Sequence, residues 1–146
     1  MRIDAFLRES PMFAVSRAAR RFEALGAKAL ADDELSFVEG LMLAALFFEA
    51  PKPVKPSQLA EAFQTTRGNI SHTVSSLEAK GHLQRTIDPE DARVFLLALK
   101  PQGKKTALRV IAAFDKLQKE FEEEIGKSAL AEMLKSLRKL EKRAKG

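Results

Sequence analysis

The chain has no cysteine among its 146 residues and only two histidines, which excludes several kinds of site at once. Without a thiol there is no disulfide, no thiolate metal ligand, no cysteine nucleophile and no thiol-based redox sensor. A zinc site needs more ligands than two histidines, and no carboxylate cluster at metal-ligand spacing supplies them. We therefore expect neither a metal ion nor a cofactor.

Long hydrophobic runs are also missing. No stretch of 18 apolar residues is present, and the first residues do not have the charged, apolar and small segments of a secretion leader. These absences predict a cytoplasmic protein that does not span a membrane. The lysine-rich segment 135–146 is compatible with a membrane-surface helix, but its leucines continue the preceding apolar stripe, which favours packing in a dimer. No nucleophile elbow, phosphate loop or metal motif occurs, so an enzyme is not expected.

The positive charge of the chain is unevenly distributed. The net charge is +5, yet residues 1–51 carry six Lys or Arg against eight Asp or Glu. Residues 52–105 carry nine basic against five acidic residues, and residues 106–146 carry ten against seven. A basic middle segment is a mild signal for binding a polyanion such as nucleic acid, although solvated surface lysines give the same composition.

Both ends of the chain have the periodicity of amphipathic helices. Ser10 and Pro11 predict either the start of a helix or a kink in an earlier one. Ser36 and Glu39 predict a capping box that opens a helix ending at "PKPVKP". In the C-terminal third, Gly126 divides two further helices. Such long helices either fold back onto one chain or interleave with those of a second, and their length favours a homodimer.

The middle segment predicts a helix-turn-helix followed by a hairpin. "PSQLAEAFQ" has the pattern of a short helix, and "TRGNISHTVSSLEAKG" that of a second one, capped by Thr66 and ended by Gly81. The predicted inward face of the second helix contains Ile70, Val74 and Leu77. "HLQRTI" and "VFLLAL" are strand-like runs around "DPEDAR", which predicts a β-hairpin. This order of elements is a winged helix.

The order and spacing of these segments resemble the MarR (multiple-antibiotic-resistance regulator) family of dimeric bacterial winged-helix transcription factors. The segments that carry the resemblance are "LSFVEGLMLAAL", "SQLAEAFQTTRGNISHTVSSLEAKGHLQR" and "DPEDARVFLLALKPQGKK". The resemblance implies a mainly α fold with a small β-hairpin wing (α+β), as one domain over residues 1–146. Residues 52–105 would form the winged helix-turn-helix, and residues 1–35 and 106–146 the helical dimerisation part.

Three residues depart from the family pattern. Gln64 stands where a turn glycine is usual, so that turn must either tolerate a side chain or shift slightly. Ala92 replaces a commonly basic wing residue and removes one phosphate contact. Lys100 stands where a threonine usually caps the fifth helix, a loss of about 1 kcal/mol of stability.

A recognition helix that begins near Arg67 would present its polar N-terminal residues to a major groove. Asn69 suits a bidentate contact with adenine, and Arg67 suits guanine or a phosphate. Gly68 would permit close approach of the backbone to DNA. The expected DNA-contacting residues are Thr66, Arg67, Gly68, Asn69, Ser71, His72, Ser75, Arg85, Asp91 and Arg93. The alternative is a solvated polar face without a partner, and for His72 an idle surface position.

The tip of the predicted wing is unexpectedly acidic for a basic chain. In "DPEDAR", Asp88 followed by Pro89 is typical of a type I turn, so part of this acidity is structural. Asp91 and Arg93 are two residues apart on a strand and therefore share a face. The Asp91 carboxylate can then hold the guanidinium and aim it at a narrow minor groove. Glu90 is interpreted as merely solvated.

The resemblance further implies a pocket for a small lipophilic or aromatic anionic effector. The candidates, by position only, are Phe13, Arg17, Phe22, Phe37 and Phe47, although each aromatic also fits a plain core position. The expected function is a homodimeric repressor that binds a pseudo-palindromic double-stranded DNA operator and is released by such a ligand. The alternative is a winged-helix protein-interaction module with weak DNA binding.

Overall fold

The computed structural model describes residues 1–145, which fall into two compact units, residues 1–111 and the residues from 112 onward. The helices are α1 (Arg2–Glu9), α2 (Pro11–Ala29), a 3-10 turn (Ala31–Asp33), α3 (Phe37–Glu49), α4 (Pro56–Ala62), α5 (Arg67–Ala79), α6 (Pro101–Ile125) and α7 (Lys127–Ala144). The strands are β1 (Leu83–Asp88) and β2 (Asp91–Leu99). The predicted fold class, mainly α with a β-hairpin wing, is confirmed.

A new helix starts at the predicted Ser10–Pro11 step. The Ser10 hydroxyl accepts a hydrogen bond from the Phe13 amide at 3.2 Å, and Pro11 occupies the first helical position. A separate helix, α1, precedes it and ends before Ser10. The sequence left a start and a kink open, and the structure has a start.

The centre of the first unit is α3, which begins with the predicted capping box. The Ser36 amide donates to the Glu39 carboxylate at 2.9 Å, and the Glu39 amide donates to the Ser36 hydroxyl at 3.1 Å. Within the helix, Met42, Leu43 and Leu46 are buried. This burial agrees with the nearly all-round apolar sequence of the helix.

The helix-turn-helix packs around the residues expected to face inward. Leu59 of α4 is buried, and so are the three predicted residues of α5, Ile70, Val74 and Leu77. The hairpin is closed by two residues, Pro89 and Glu90, because Asp88 pairs with Asp91. The predicted winged helix is therefore confirmed.

One strand contact of the wing was not predicted. Val54 forms an isolated antiparallel bridge with Leu97, with N–O distances of 3.0 and 2.8 Å in the two directions. Both side chains are buried. The prolines around Val54 hid this contact in the sequence, because "PKPVKP" has the composition of a loop.

The second unit contains the remainder of α6 and α7. Gly126, with φ of +88°, separates the two helices, as predicted. Several large apolar side chains are exposed in this unit, namely Ile125, Met133, Leu134 and Leu140. Among the described residues no helix is long and apolar enough to cross a membrane.

Candidate nucleic-acid interface

The N-terminal half of α5 is built as an exposed polar surface. The Thr66 hydroxyl accepts from the Asn69 amide at 3.1 Å, which confirms the predicted cap. The Asn69 side chain donates to the Thr65 hydroxyl at 3.0 Å and is thereby oriented. Arg67, Ser71 and His72 are exposed, and their side chains have no hydrogen-bond or ion-pair partner in the described chain.

The turn before α5 carries a side chain in a conformation that favours glycine. Gln64 has φ of +52°, in the left-handed region, as expected for the position where a turn glycine is usual. Its side-chain amide donates to the Glu61 carbonyl at 2.7 Å, and the next amide, of Thr65, donates to the Ala60 carbonyl at 3.0 Å. These hydrogen bonds offset part of the backbone strain, so the turn is kept without glycine.

Arg93 of the wing is exposed and is held by a neighbouring carboxylate, that of Asp91. Arg93 donates to Asp91 from Nε to Oδ1 at 3.1 Å and from Nη2 to Oδ2 at 3.3 Å. Its backbone amide also donates to Oδ1, at 3.0 Å. The Arg93 side chain and backbone together hold the pKa of Asp91 below its usual value. The predicted contact between these two residues is present, and 89% of the Arg93 side chain remains exposed.

The other acids of the wing tip have separate roles. Asp88 is buried and its Oδ1 accepts from the Glu90 amide at 2.9 Å, so this carboxylate closes the turn. Its Oδ2 lies 3.9 Å from Lys55 Nζ, a long ion pair. Glu90 itself is exposed. The acidity of the tip is thus mostly structural.

Arg85 and Ser75, both predicted to contact DNA, contact each other. Arg85 Nη2 donates to the Ser75 hydroxyl at 2.6 Å, and Arg85 Nε lies 3.3 Å from Glu78 Oε1. The Arg85 guanidinium also lies over the Phe95 ring, 5.7 Å from its centroid. Direct DNA contact by these two residues stays a prediction, but their polar groups already have partners within the winged helix.

A cavity of about 320 Å³ joins the recognition helix and the wing. Arg67 and Ser71 of α5 line it, as do Arg85 of β1 and Arg93 of β2. The floor is largely apolar and includes Val74 and Phe95. The cavity therefore brings the exposed arginine of α5 and that of the wing onto one face of the molecule.

A buried carboxylate fixes the C-terminal end of α5. Besides its role in the α3 capping box, Glu39 accepts from the Ser76 hydroxyl at 2.8 Å and from Lys80 Nζ at 3.0 Å. Burial would raise the pKa of Glu39, but the hydrogen bonds from Ser36, Ser76 and Lys80 outweigh it, and the pKa is lowered. The sequence indicated only the capping role, because Lys80 is 41 residues away.

The junction between α5, the wing and α6 contains His82. This residue lies just before β1 and is buried. Its Nδ1 is buried and has no hydrogen-bond partner among the described residues. Burial lowers the pKa of His82, and the charge of Lys80 lowers it further, against the opposing effect of Asp33. Asp33 is held by Arg109 at 2.7 Å.

The five candidate ligand residues do not all line the same cavity. Phe37 lines a cavity of about 530 Å³ between α3 and α5, together with Phe63, Asn69 and His72. The other four are not among the residues that line this cavity, namely Phe13, Arg17, Phe22 and Phe47. Instead, the Arg17 guanidinium lies over the Phe13 ring, 5.5 Å from its centroid. Phe47 packs edge-on against Phe48.

Among the described residues, no group of acids or histidines has an arrangement that would hold a metal ion.

Comparison with known proteins finds a family profile that matches the winged-helix segment. Residues 35–94 match the sequence profile of the MarR family. An uncharacterised HTH-type transcriptional regulator of Bacillus subtilis (strain 168), YdcH, is 29% identical over 114 residues, which are 77% of this chain and 78% of YdcH.

Two solved structures have the same fold. The first is a DNA complex of S. aureus MepR, with a TM-score of 0.85 and 18% identity over 92% of this chain and 98% of MepR. The second is the PcaV transcriptional regulator of Streptomyces coelicolor with its natural ligand. It has a TM-score of 0.83 and 22% identity over 94% of this chain and 96% of PcaV.

Proposed function

We propose that this chain, whose residues 35–94 match the MarR family profile, is a transcriptional regulator that binds double-stranded DNA. It acts as a homodimeric repressor on a pseudo-palindromic operator and is released by a small molecule. The family and the fold are those of transcription regulators, which are generally not enzymes, and we propose no catalytic activity. Its place of action is the cytoplasm.

The observation that carries this proposal is the shared face of Arg67 and Arg93. One arginine stands at the start of a recognition helix and the other on the wing, and both line the same cavity. Neither lies inside the core, and Arg93 is held by a carboxylate with most of its side chain exposed. A pair of cations spaced across a helix and a hairpin suits the successive grooves of a duplex.

The chemistry of α5 supports base and phosphate contacts in a major groove. Arg67 offers the bidentate fork that reads guanine, and Asn69 suits adenine once its hydrogen bond to Thr65 is exchanged. Ser71, His72 and the Thr66 hydroxyl are donors for phosphates, and Gly68 permits close approach. Arg93 then enters the adjacent minor groove, where negative potential favours arginine.

Exposed apolar side chains in both terminal helical segments support a homodimer. In the first unit these are Ile3, Phe6, Met12, Val15 and Phe22. In the second unit they are Ile125, Met133, Leu134 and Leu140. So many large apolar groups in water are typical of a surface that a second copy covers. We assign dimerisation to residues 1–35 and 106–146, and DNA binding to residues 52–105.

Ligand response is supported by the cavity between α3 and α5. It is lined by Phe37 and Phe63 from one side and by Asn69 and His72 of the recognition helix from the other. A lipophilic or aromatic anion bound there would contact residues of α5 and change the equilibrium between DNA-binding and released states. PcaV provides a ligand-bound example of the same fold.

The test is the salt dependence of DNA binding. The probe is a duplex that the chain has selected from a random pool. We expect its affinity to fall steeply with salt: for each phosphate neutralised, log K should fall by about 0.9 per tenfold increase in salt concentration. A salt-independent, weak interaction would contradict the proposal. That outcome would favour a winged-helix protein-interaction module instead.

A further inference from the structure

Arg85 is placed unlike the other two arginines of the interface. It lies on β1 opposite Leu97, near the middle of the wing, and 26% of its side chain is exposed, against 89% for Arg93. Its guanidinium contacts a hydroxyl and a carboxylate of α5 and the ring of Phe95 in β2. One side chain therefore bridges the recognition helix and both wing strands.

We propose that Arg85 is a positioning residue that fixes the wing relative to the recognition helix, so that Arg67 and Arg93 reach their two grooves together. This inference rests on the proposed DNA-binding function and deepens it. It assigns Arg85 a role other than direct contact with DNA.

The charge of Arg85 is already used inside the protein. Glu78 Oε1 lies 3.3 Å from Nε, and Nη2 donates to Ser75. Nε is buried and has no hydrogen-bond partner among the described residues, so its contact with Glu78 is an ion pair and not a directed hydrogen bond. A DNA phosphate would have to compete with Glu78 for a cation that is already half-buried. The pair also contributes no net charge to the surface.

The wing needs such an attachment. A two-stranded hairpin is at best marginally stable by itself in water. The Val54–Leu97 bridge holds β2 at the level of Arg85, and the long Lys55–Asp88 ion pair holds the hairpin near its tip. On the β1 side, Arg85 provides a short hydrogen bond, an ion pair and a guanidinium that lies over the Phe95 ring. Fixing two contact groups before binding reduces the ordering cost of association, which is why the attachment bears on affinity.

The decisive experiment compares Arg85→Ala, Arg85→Lys, Glu78→Ala and the Arg85→Ala/Glu78→Ala double variant. The probe is a duplex of about 30 base pairs, long enough for two half-sites, that the unmodified chain has selected from a random pool. Dissociation constants are measured over a range of KCl concentrations. Arg21→Ala, which removes an exposed arginine of α2, is the control for the loss of one positive charge.

If Arg85 positions the wing, both single alanine variants weaken binding by about five- to thirtyfold, and the double variant is no weaker than either, because they remove the same contact. Arg85→Lys does not restore binding, since lysine lacks the planar fork and the stacked face. The salt slope is unchanged in all four. The opposite pattern overturns the proposal, namely a salt slope lower by about one in Arg85→Ala together with tighter binding by Glu78→Ala, as expected for a direct phosphate contact.

Hydrogen exchange of the free protein gives a second and independent measurement. Amides of β1 and β2 should exchange faster in Arg85→Ala and in Glu78→Ala than in the unmodified chain, while those of α3 do not change. Unaltered wing exchange in both variants would also overturn the proposal. Failure of the proposed function itself is distinguished from both results, since then the unmodified chain would show no salt-dependent binding.

Discussion

The Asp91 carboxylate accepts two hydrogen bonds from the Arg93 guanidinium, from Nε at 3.1 Å and from Nη2 at 3.3 Å. The same carboxylate accepts the Arg93 amide, which fixes the acid to the strand. A freely rotating arginine loses much side-chain entropy when it binds, and these hydrogen bonds to Asp91 limit that loss. The need to order Arg93 before it binds thus explains why an acidic residue stands beside a cation that is proposed to contact DNA.

Arg93→Ala should lower the affinity for DNA by about 5- to 150-fold and reduce the salt slope by about one, since one phosphate-proximal cation is lost. Asp91→Ala should also weaken binding, because the guanidinium is no longer held. Titration of a selected duplex at several salt concentrations measures both. Glu90→Ala removes a neighbouring acid that does not contact Arg93 and serves as the control. If Asp91→Ala tightens binding as Glu90→Ala would, the acid is only a repulsive charge.

The Gly68→Ala variant tests DNA contact at this position separately from the stability of the fold. A Cβ at this position would meet only the Thr66 hydroxyl, at 3.8 Å, which is an ordinary contact. Alanine should therefore leave the free energy of unfolding unchanged or raise it by up to about 1 kcal/mol, because glycine is the poorer helix residue. DNA affinity should nevertheless fall at least about fivefold if the backbone approaches the duplex closely. Equal affinity in a fully folded variant would place Gly68 outside the interface.

Gly103→Ala, in contrast, should lower the stability of the fold. An added Cβ would overlap the carbonyl oxygen of His82, a backbone atom that also accepts the Lys100 amide and cannot move freely. The expected loss is about 2 kcal/mol or more in the free energy of unfolding, measured by urea denaturation. This contact explains why a glycine stands at position 103, in the first turn of α6. A variant as stable as the unmodified chain would show that the junction can shift.

Local signals were the part of the fold that the sequence predicted well. The caps formed by Ser36 and Thr66 depend on atoms within three residues, so their residue types are sufficient to locate them. The hairpin was located by its turn residues and flanking strand-like runs.

Contacts between distant segments were not predicted. The sequence indicated the capping role of Glu39 but not Lys80 as its partner, and it assigned Arg85 to DNA without its contact to Glu78. Each depends on how separate elements pack. The ligand candidates could not be distinguished for the same reason. An aromatic residue on the apolar face of a helix has the same sequence periodicity whether it lines a cavity, packs in the core or packs in a dimer interface. Of the five, Phe37 lines the cavity between α3 and α5.

The apolar face of α7 predicts the effect of charge on assembly. Leu134 and Leu140 are 40% and 53% exposed, and a second copy that covers them would be repelled by buried carboxylates. The Leu134→Glu/Leu140→Glu variant should therefore elute as a 16.2 kDa monomer, while light scattering should give twice that mass for the unmodified chain. Ser136→Glu adds an acid at an exposed polar position of the same helix and should remain dimeric. A dimeric double variant would place the interface elsewhere.

Stability should decrease in mild acid because of His82. Its pKa in the folded chain is lowered from 6.5 by burial first and by the Lys80 charge, so the fold favours the neutral ring. The unfolded chain takes up a proton as the pH falls below about 6.5, while the folded chain does not until its lower pKa is reached. The free energy of unfolding should thus be constant above this range and decline through it. Glu39, whose pKa is also lowered, extends the decline below its ordinary value of 4.5 as its hydrogen bonds with Ser76 and Lys80 are lost.

His82→Gln should remove the decline near pH 6 while leaving the one below pH 4.5, because the buried titrating ring is gone and Glu39 is unchanged. Urea denaturation across this pH range measures both windows. His72→Gln is the matched control, since this second histidine is exposed on α5 and its loss should leave the stability profile in place. If His72→Gln flattens the profile and His82→Gln does not, the buried ring at the wing junction is not the group that makes the fold sensitive to acid.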